Sequence, residues 1–463
     1  MSLKSNIGQT SVVECLVKLF AGFTFFFGLA GLLIGFRGIL EYLGVFFVLA
    51  LSVCLVCLAY KNILLFVMAI FMSYANYSAL AANYFNIYQD FYTYYAGSDV
   101  AAIGTFAMLM FVAVLVFCFP RNVTSFGGIN FFGRCRQLDY AAPLAFFIAV
   151  FLVFISFTQS SGFNNGGERG TNSAIYEYSY ILFIIGYFYS GQNKLCRRLL
   201  DCVALLFMLQ AVLGGNRASV LATVLLLYTL YIANRFSTSK QVLLIIFGFL
   251  LFQVSGYLRE DIAFASTEEL VSIFTTMVNH AFIWDTAAAA YHQSLAFMYL
   301  LQYLSFDETL YYFQQWFLGM LVGGAQLADW TLPHIAQETF GLYERGGLGG
   351  GFLPLYFYFY FGIPGVLVVG IIAAYINRAL NRLSNTTSDL GCMLLIAVFI
   401  TMPRWWLYYP TPLIRGLLLM LIVGGVVCFL NGNDVHFRKR RKDIRNRPKY
   451  KNATRNKLRK IYD

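Results

Sequence analysis

Five arginines sit in short motifs suited to holding a phosphate or another oxyanion. Arg217 lies in GGNRAS beside Asn216, Arg345 in ERGGLGGG (Glu344 to Gly351), Arg404 in TMPRWW, Arg415 eleven residues later, and Arg259 in YLRED. A guanidinium is a planar fork of N–H donors that grips two oxygens at once. Glycines beside it expose backbone N–H groups, and a helix that starts at the arginine aims its free N–H groups at the same oxygens. Asn216 adds amide donors and an acceptor. A plainer reading stays open at each position. Arg217 fits a snorkelling interfacial side chain. The glycines up to Gly351 fit a hinge, and Glu260 and Asp261 fit neutralising partners for Arg259.

A proton acceptor near these arginines would come from His334, Glu338 or Glu344. His334 and Glu338 are four residues apart, so a helix there puts them on one face. Helix-surface placement explains each of the three singly as well. The chain has no P-loop and no paired-aspartate motif on an outside segment, and His280, His292 and His334 are too scattered for metal spacing. No metal site and no cofactor are expected.

The elements that position these residues read as membrane. Of 463 residues, 59% are hydrophobic and 12% charged, against about 25% charged in a soluble domain. Twelve apolar runs are expected as transmembrane helices, at roughly 14–35, 42–60, 63–82, 100–119, 140–157, 177–192, 199–214, 219–233, 241–257, 352–374, 389–402 and 412–430. With the N-terminus inside, 25 Lys or Arg fall on the inner side and seven arginines on the outer side, the asymmetry of the positive-inside rule. The seven are Arg37, Arg169, Arg217, Arg259, Arg345, Arg404 and Arg415.

The fold class is therefore all-α: a polytopic integral membrane protein of about twelve helices. It divides into an N-terminal bundle (1–257), a large outer loop (258–351), C-terminal membrane helices (352–430) and a basic inner tail (431–463). A loop this long between spans is usually functional. Its expected short helices lie on the bilayer or cap a cavity, with Ser266 and Glu269, Asp285, Asp307 and Thr331 as N-terminal signals; a membrane-spanning pair at 286–304 and 309–325 is the alternative. Segment 83–99, rich in Tyr and Asn, reads as an interfacial belt or as a surface for sugar faces. Trp405 and Trp406 read the same way. The thirteen Lys and Arg from Arg438 to Lys460 fit an anchor on anionic membrane lipid, and without aromatic interleaving they do not point to nucleic acid. None of the nine cysteines falls in the long loop, so no disulfide framework is expected.

In layout the chain resembles the O-antigen (oligosaccharide repeat-unit) polymerases of the bacterial Wzy type. The likeness rests on many spans, a large outer loop late in the chain, GGNRAS opening a span, RGGLGGGFLPLYFYFYFGIPG leading into the span behind the loop, and an arginine-bearing turn at Arg404 before the last span. The resemblance implies a multi-pass, GT-C-like glycosyltransferase acting at the periplasmic face of the inner membrane. Its substrates would be undecaprenyl-diphosphate-linked glycans as donor and acceptor, with a polysaccharide co-polymerase that sets chain length as a partner. It implies diphosphate-binding roles for Arg217, Arg345 and Arg404, to which the motifs above add Arg259 and Asn216. An O-antigen ligase shares the loop and the arginines and stays open. A lipid-linked oligosaccharide flippase or transporter is the other alternative, although it would have shorter loops and charges inside its spans.

Overall fold

The computed structural model describes residues 3–85, 99–126, 144–145, 147–152, 178–190, 193–213, 217–233, 235–257, 267–301, 304–321, 351–386, 388–407 and 413–429. Among them every regular element is a helix and there is no strand. The N-terminal helices are α1 (Leu3–Ile34), α2 (Ile39–Ala59), α3 (Ile63–Tyr84), α4 (Asp99–Phe117), α5 (Ser179–Tyr189), α6 (Lys194–Leu213), α7 (Arg217–Leu227, continued by a π turn over Tyr228–Ile232) and α8 (Thr238–Tyr257). The long connector contributes α9 (Thr267–Asn279), α10 (Asp285–Leu300) and α11 (Phe306–Met320). Behind it come α12 (Leu353–Asn381), α13 (Asp389–Ile400), α14 (Met402–Leu407) and α15 (Leu413–Phe429).

Among the described residues, five segments are long and apolar enough to cross a membrane: Val12–Ile34 of α1, α2, α3, α4 and α12. At about 1.5 Å per residue, α3 spans about 33 Å, close to the hydrocarbon thickness. The apolar stretches of α5, α7, α8, α13 and α15 are shorter, from Ser179–Tyr189 to Leu413–Phe429. Helix α6 is long enough, but Lys194, Arg197, Arg198 and Asp201 occupy its first turns. Of the expected span at 140–157, only 144–145 and 147–152 are described, and they are helical. Leu16, Leu19, Phe23 and Phe26 of α1, Phe46 and Val53 of α2, and Ile371 and Ile372 of α12 all face outward. A soluble protein rarely exposes so much contiguous apolar surface, whereas lipid accepts it. This is a helical bundle built to sit in a membrane.

Helix α4 is the axis. Phe106 to Val114 is buried throughout, and α1, α2, α10 and α12 pack around it. Its ends are marked by polar contacts. At one end, Arg37 of the α1–α2 turn pairs with Asp99 at 2.6 Å, and Tyr84 at the end of α3 donates to Glu41 on α2. At the other end, Asn381 closes α12 onto the chain after α4, accepting from the Thr124 N–H at 3.0 Å and donating to the Asn122 carbonyl at 2.8 Å. There Asn62 caps α3 and donates to the Thr124 carbonyl at 3.1 Å. The helix ends thus sort into two layers, as alternating spans require.

Helix α12 is two helices joined at a kink. Gly362 has φ 60° and ψ −144°, a conformation only glycine holds without strain, and Pro364 follows, with no N–H to donate. The first half is aromatic and packs on α10 and α11, with Trp316 stacked on Tyr360 at 5.0 Å and Phe297 edge-on to Tyr356. The second half packs along α4.

Helix α10 departs from one of the placements expected for the connector's helices, that of lying on the bilayer. It is buried inside the bundle, with Ala287, Ala288, Ala290, Tyr291 and Leu295 fully enclosed. It touches α3, then α4, then α12. Helices in lipid associate by close packing, and small residues permit the closest approach. The alanine run supplies one side of that approach and Gly104 the other. A Cβ at Gly104 would lie 2.7 Å from Leu295 and 3.0 Å from the Tyr291 hydroxyl.

Two caps also differ from the sequence signals. Trp284, not Asp285, occupies the cap position of α10, and Asp285 is the first helical residue, accepting from the Thr286 N–H at 2.6 Å. Helix α11 is capped by Ser305 rather than Asp307. Its hydroxyl accepts from the Glu308 N–H, and the Glu308 carboxylate accepts from the Ser305 N–H at 2.7 Å. The Ser-x-x-Glu spacing outweighs the aspartate because it satisfies two free donors at once. The Ser305 N–H and hydroxyl, both reaching the Glu308 carboxylate, hold it below its usual range. For the expected cap at Ser266, helix α9 does begin at Thr267, but Ser266 itself lies outside the described residues.

Candidate functional site

Of the residues singled out by sequence, Asn216, Arg259, His334, Glu338, Glu344 and Arg345 lie outside the described residues. So do Thr331 with the helix expected after it, segment 158–176, all of 83–99 between Phe85 and Asp99, and the basic tail. Arg217 is the first residue of α7; its side chain lies outside what the structure describes. That start places the free N–H groups of a helix N-terminus directly after residues 214–216.

Arg404 is half-buried in α14, the six-residue helix between α13 and α15. Three neighbours give α14 its importance. It packs against α7, the helix opened by Arg217. It packs against α10, the buried helix of the long connector. Its Trp406 ring also lies 5.7 Å from the ring of Phe352, the residue that ends the glycine run begun at Arg345. Phe352 is fixed in turn: its N–H donates to the Ser294 hydroxyl of α10 at 2.6 Å, and Tyr291 meets its ring edge-on. Helix α7, which Arg217 opens, and Phe352, at the near end of the described chain behind the long connector, therefore both adjoin α14, which carries Arg404.

Trp405 and Trp406 correct their sequence reading. Both are enclosed, at 2% and 0% exposure, so they neither line the interface nor face a ligand. The Trp405 indole donates to the Val398 carbonyl at 3.1 Å, and Trp406 packs on Phe111 of α4. They are the wedge that seats α14 in the bundle.

Two further arginines of the expected outer set are described, Arg37 and Arg415, and both are engaged elsewhere. Arg37 pairs with Asp99. Arg415, in the first turn of α15, donates to the Gly319 carbonyl at the C-terminal end of α11, where the helix dipole favours a cation. Among the described residues, no group of three His, Cys, Asp or Glu is arranged to hold a metal ion. The eight described cysteines are free thiols, Cys54 and Cys57 included.

Two features of the site region escape a sequence reading. The first is the turn that delivers α10. Ala281 and Phe282 both have positive φ, at 52° and 53°, costly for residues with a Cβ. Their carbonyls accept from the hydroxyls of Tyr77 at 2.9 Å and Tyr74 at 2.6 Å, and the Trp284 N–H donates to Ser78 at 3.0 Å. All three hydroxyls come from the middle turns of α3. Irregular backbone at that level survives only where protein groups satisfy it. The second is Glu41, held by Tyr84. A span drawn from residue 42 leaves Glu41 outside as a connector residue; a lone acid in the first turn of so apolar a helix was the available signal.

No protein family, curated protein or solved structure matches this chain.

Proposed function

We propose that the protein polymerises undecaprenyl-diphosphate-linked oligosaccharide repeat units into O-antigen or a related surface polysaccharide, by metal-independent glycosyl transfer at the periplasmic face of the bacterial inner membrane. The observation that supports this reading is the packing of α14, which carries Arg404, against α7, which Arg217 opens, within a membrane bundle and against a buried helix of the long connector. A site bounded by spans on one side and a long loop on the other suits a substrate with a lipid tail and a glycan head. The layout shared with the Wzy-type polymerases and the 25-to-7 basic asymmetry, which puts the connector outside, support it further.

In the proposed reaction, Arg217, Arg345 and Arg404, assisted by Arg259 and Asn216, grip the diphosphates of the donor and acceptor lipids. Negative charge grows on the leaving diphosphate as its bond to the sugar breaks. Fixed guanidinium donors stabilise that charge in a site shielded from water, the role a metal plays elsewhere. The terminal hydroxyl of the acceptor repeat unit attacks the anomeric carbon and gives up its proton to a base; His334, Glu338 and Glu344 are the loop candidates. A polysaccharide co-polymerase is the proposed partner for chain length.

Deleting the gene tests the reading. Surface glycan reduced to a single repeat unit on its acceptor, with long chains restored by the plasmid-borne gene, is the expected outcome. A mutant with no repeat unit attached at all identifies a ligase, and one that accumulates inner-face lipid-linked units identifies a flippase.

A further inference from the structure

Glu41 is the acid at the marked end of the bundle that no cation takes. Arg37, four residues before it, is engaged by Asp99, and among the described residues no lysine or arginine pairs with Glu41. It lies in the first turn of α2, whose other residues are almost wholly apolar. Three hydroxyls from three other helices gather beside it. Tyr84 of α3 donates to Glu41 Oε1. The Tyr84 oxygen is 2.9 Å from the hydroxyl of Thr105 on α4. Tyr291 of α10, fully enclosed, faces Thr105 and the Glu41 charge without completing a hydrogen bond.

Tyr84 has one proton, and it goes to Glu41. Thr105 stands 2.9 Å from the Tyr84 oxygen and also reaches the Ala101 carbonyl at 3.0 Å. The Tyr84 bond fixes one carboxylate oxygen and leaves the other, Oε2, with no partner among the described residues. Glu41 is only part-buried. A carboxylate oriented through one oxygen and open at the other is the arrangement of a positioned general base. The site is built rather than incidental, because Gly104 is what allows Tyr291 to reach Thr105. It also joins the proposed transfer site, since Tyr291 packs on Phe352 at the end of the glycine run.

Asp201 is the other carboxylate held by tyrosines, accepting from Tyr187 at 2.7 Å and Tyr231 at 2.9 Å through the same oxygen. It lies on α6 among Lys194, Arg197 and Arg198, the basic connector assigned to the inner side. The titratable and charged groups around Glu41 are Arg37 before its helix, Tyr42 beside it, Tyr84 on α3, Asp99 on α4, and Tyr291 with His292 on α10.

We propose that Glu41 is the general base of the glycosyl transfer. This rests on the polymerase reading and assigns the proton acceptor within it. The acceptor sugar's O–H bond breaks as its oxygen forms the new bond to the anomeric carbon. The proton passes to Glu41 Oε2, and the anomeric C–O bond breaks with its electron pair leaving on the undecaprenyl diphosphate. Tyr84 is a positioning residue that keeps the carboxylate turned.

The test is polymerisation of lipid-linked repeat units by the full chain in lipid nanodiscs. Glu41→Gln keeps an acceptor for Tyr84 and removes the base, so its rate should fall about 100-fold or more at unchanged membrane level. Tyr84→Phe should lower kcat with little change in KM, because it frees the carboxylate to turn without removing a substrate contact; a merely structural contact would leave both constants in place at normal membrane level. A Glu41→Gln rate within threefold of wild type overturns the assignment. So does a Tyr84→Phe enzyme with wild-type kcat and KM at normal membrane level. Absence of any polymer from the wild type strikes the polymerase reading itself, and the assignment falls with it.

Discussion

The turn at Ala281–Phe282 holds α10 in the bundle, and its contribution can be worked out from the groups that satisfy it. Tyr77 is the hydroxyl that reaches the Ala281 carbonyl, at 2.9 Å. Tyr77→Phe removes that donor and little else, leaving a carbonyl unpaired inside the protein. An unmet buried acceptor costs about 1–3 kcal/mol. That penalty falls on opening of the turn rather than on global unfolding, since α10 and α3 meet here. Amide hydrogen exchange across 281–300 should therefore run roughly 5- to 150-fold faster in Tyr77→Phe nanodiscs. Tyr74→Phe should act alike through the Phe282 carbonyl, and the double variant should fall short of the sum because both bonds brace one turn. Ala281→Gly supplies the opposite sign. Removing a Cβ from the left-handed region gains about 1–2 kcal/mol, offset by about 0.4–1 kcal/mol of extra unfolded-chain freedom. Exchange should be unchanged or slower, by up to roughly tenfold. Wild-type exchange in Tyr77→Phe, or faster exchange in Ala281→Gly, would refute the account of how α10 is seated.

Arg217→Ala and Arg345→Ala should each abolish long chains at normal protein level, with lysine rescuing only in part because it keeps the charge and loses the fork. Losing such a contact in a desolvated site costs about 2–4 kcal/mol, or roughly 30- to 1000-fold in rate; near-normal polymer from both would remove the diphosphate clamp. Arg37→Ala is the control: its bond to Asp99 is exposed on both sides, where such pairs contribute at most about 1 kcal/mol, so chain length should hold. Cysteines placed at Asn165 and Asp329 should label from the periplasm and one at Asn385 from the cytoplasm. Labelling of Asp329 only from the cytoplasm would invert the proposed topology.

Much of the bundle is legible in the chain because lipid demands long apolar runs. The runs at 42–60, 63–82 and 100–119 reappear as α2, α3 and α4 within a few residues. Boundaries drift where polar residues extend a helix past its apolar part. Helix α1 begins at Leu3, well ahead of Val12, and α12 continues to Asn381 because its last turns are tied to Thr124. The burial of α10 is harder to read, because TAAAAYHQSLAF carries no polar face to orient and no charge to forbid insertion. Only the partner surface, Gly104 and the hydroxyls of Tyr74, Tyr77 and Ser78, decides where it goes. The same limit hid the site. Arg217 and Arg404 stand out by composition, but the contact between the helices that carry them depends on α14, which is wedged in place by two tryptophans that local sequence assigns to the interface. Glu41 depends still more on context, since three of the helices around it are remote in sequence.

Reconstitution tests the central claim most directly. The purified chain in proteoliposomes, given only undecaprenyl-diphosphate-linked repeat units and excess chelator, is predicted to release undecaprenyl diphosphate and build a ladder of glycans one repeat apart. No ladder from folded protein, or a ladder that appears only when one specific divalent metal is restored, would contradict the account.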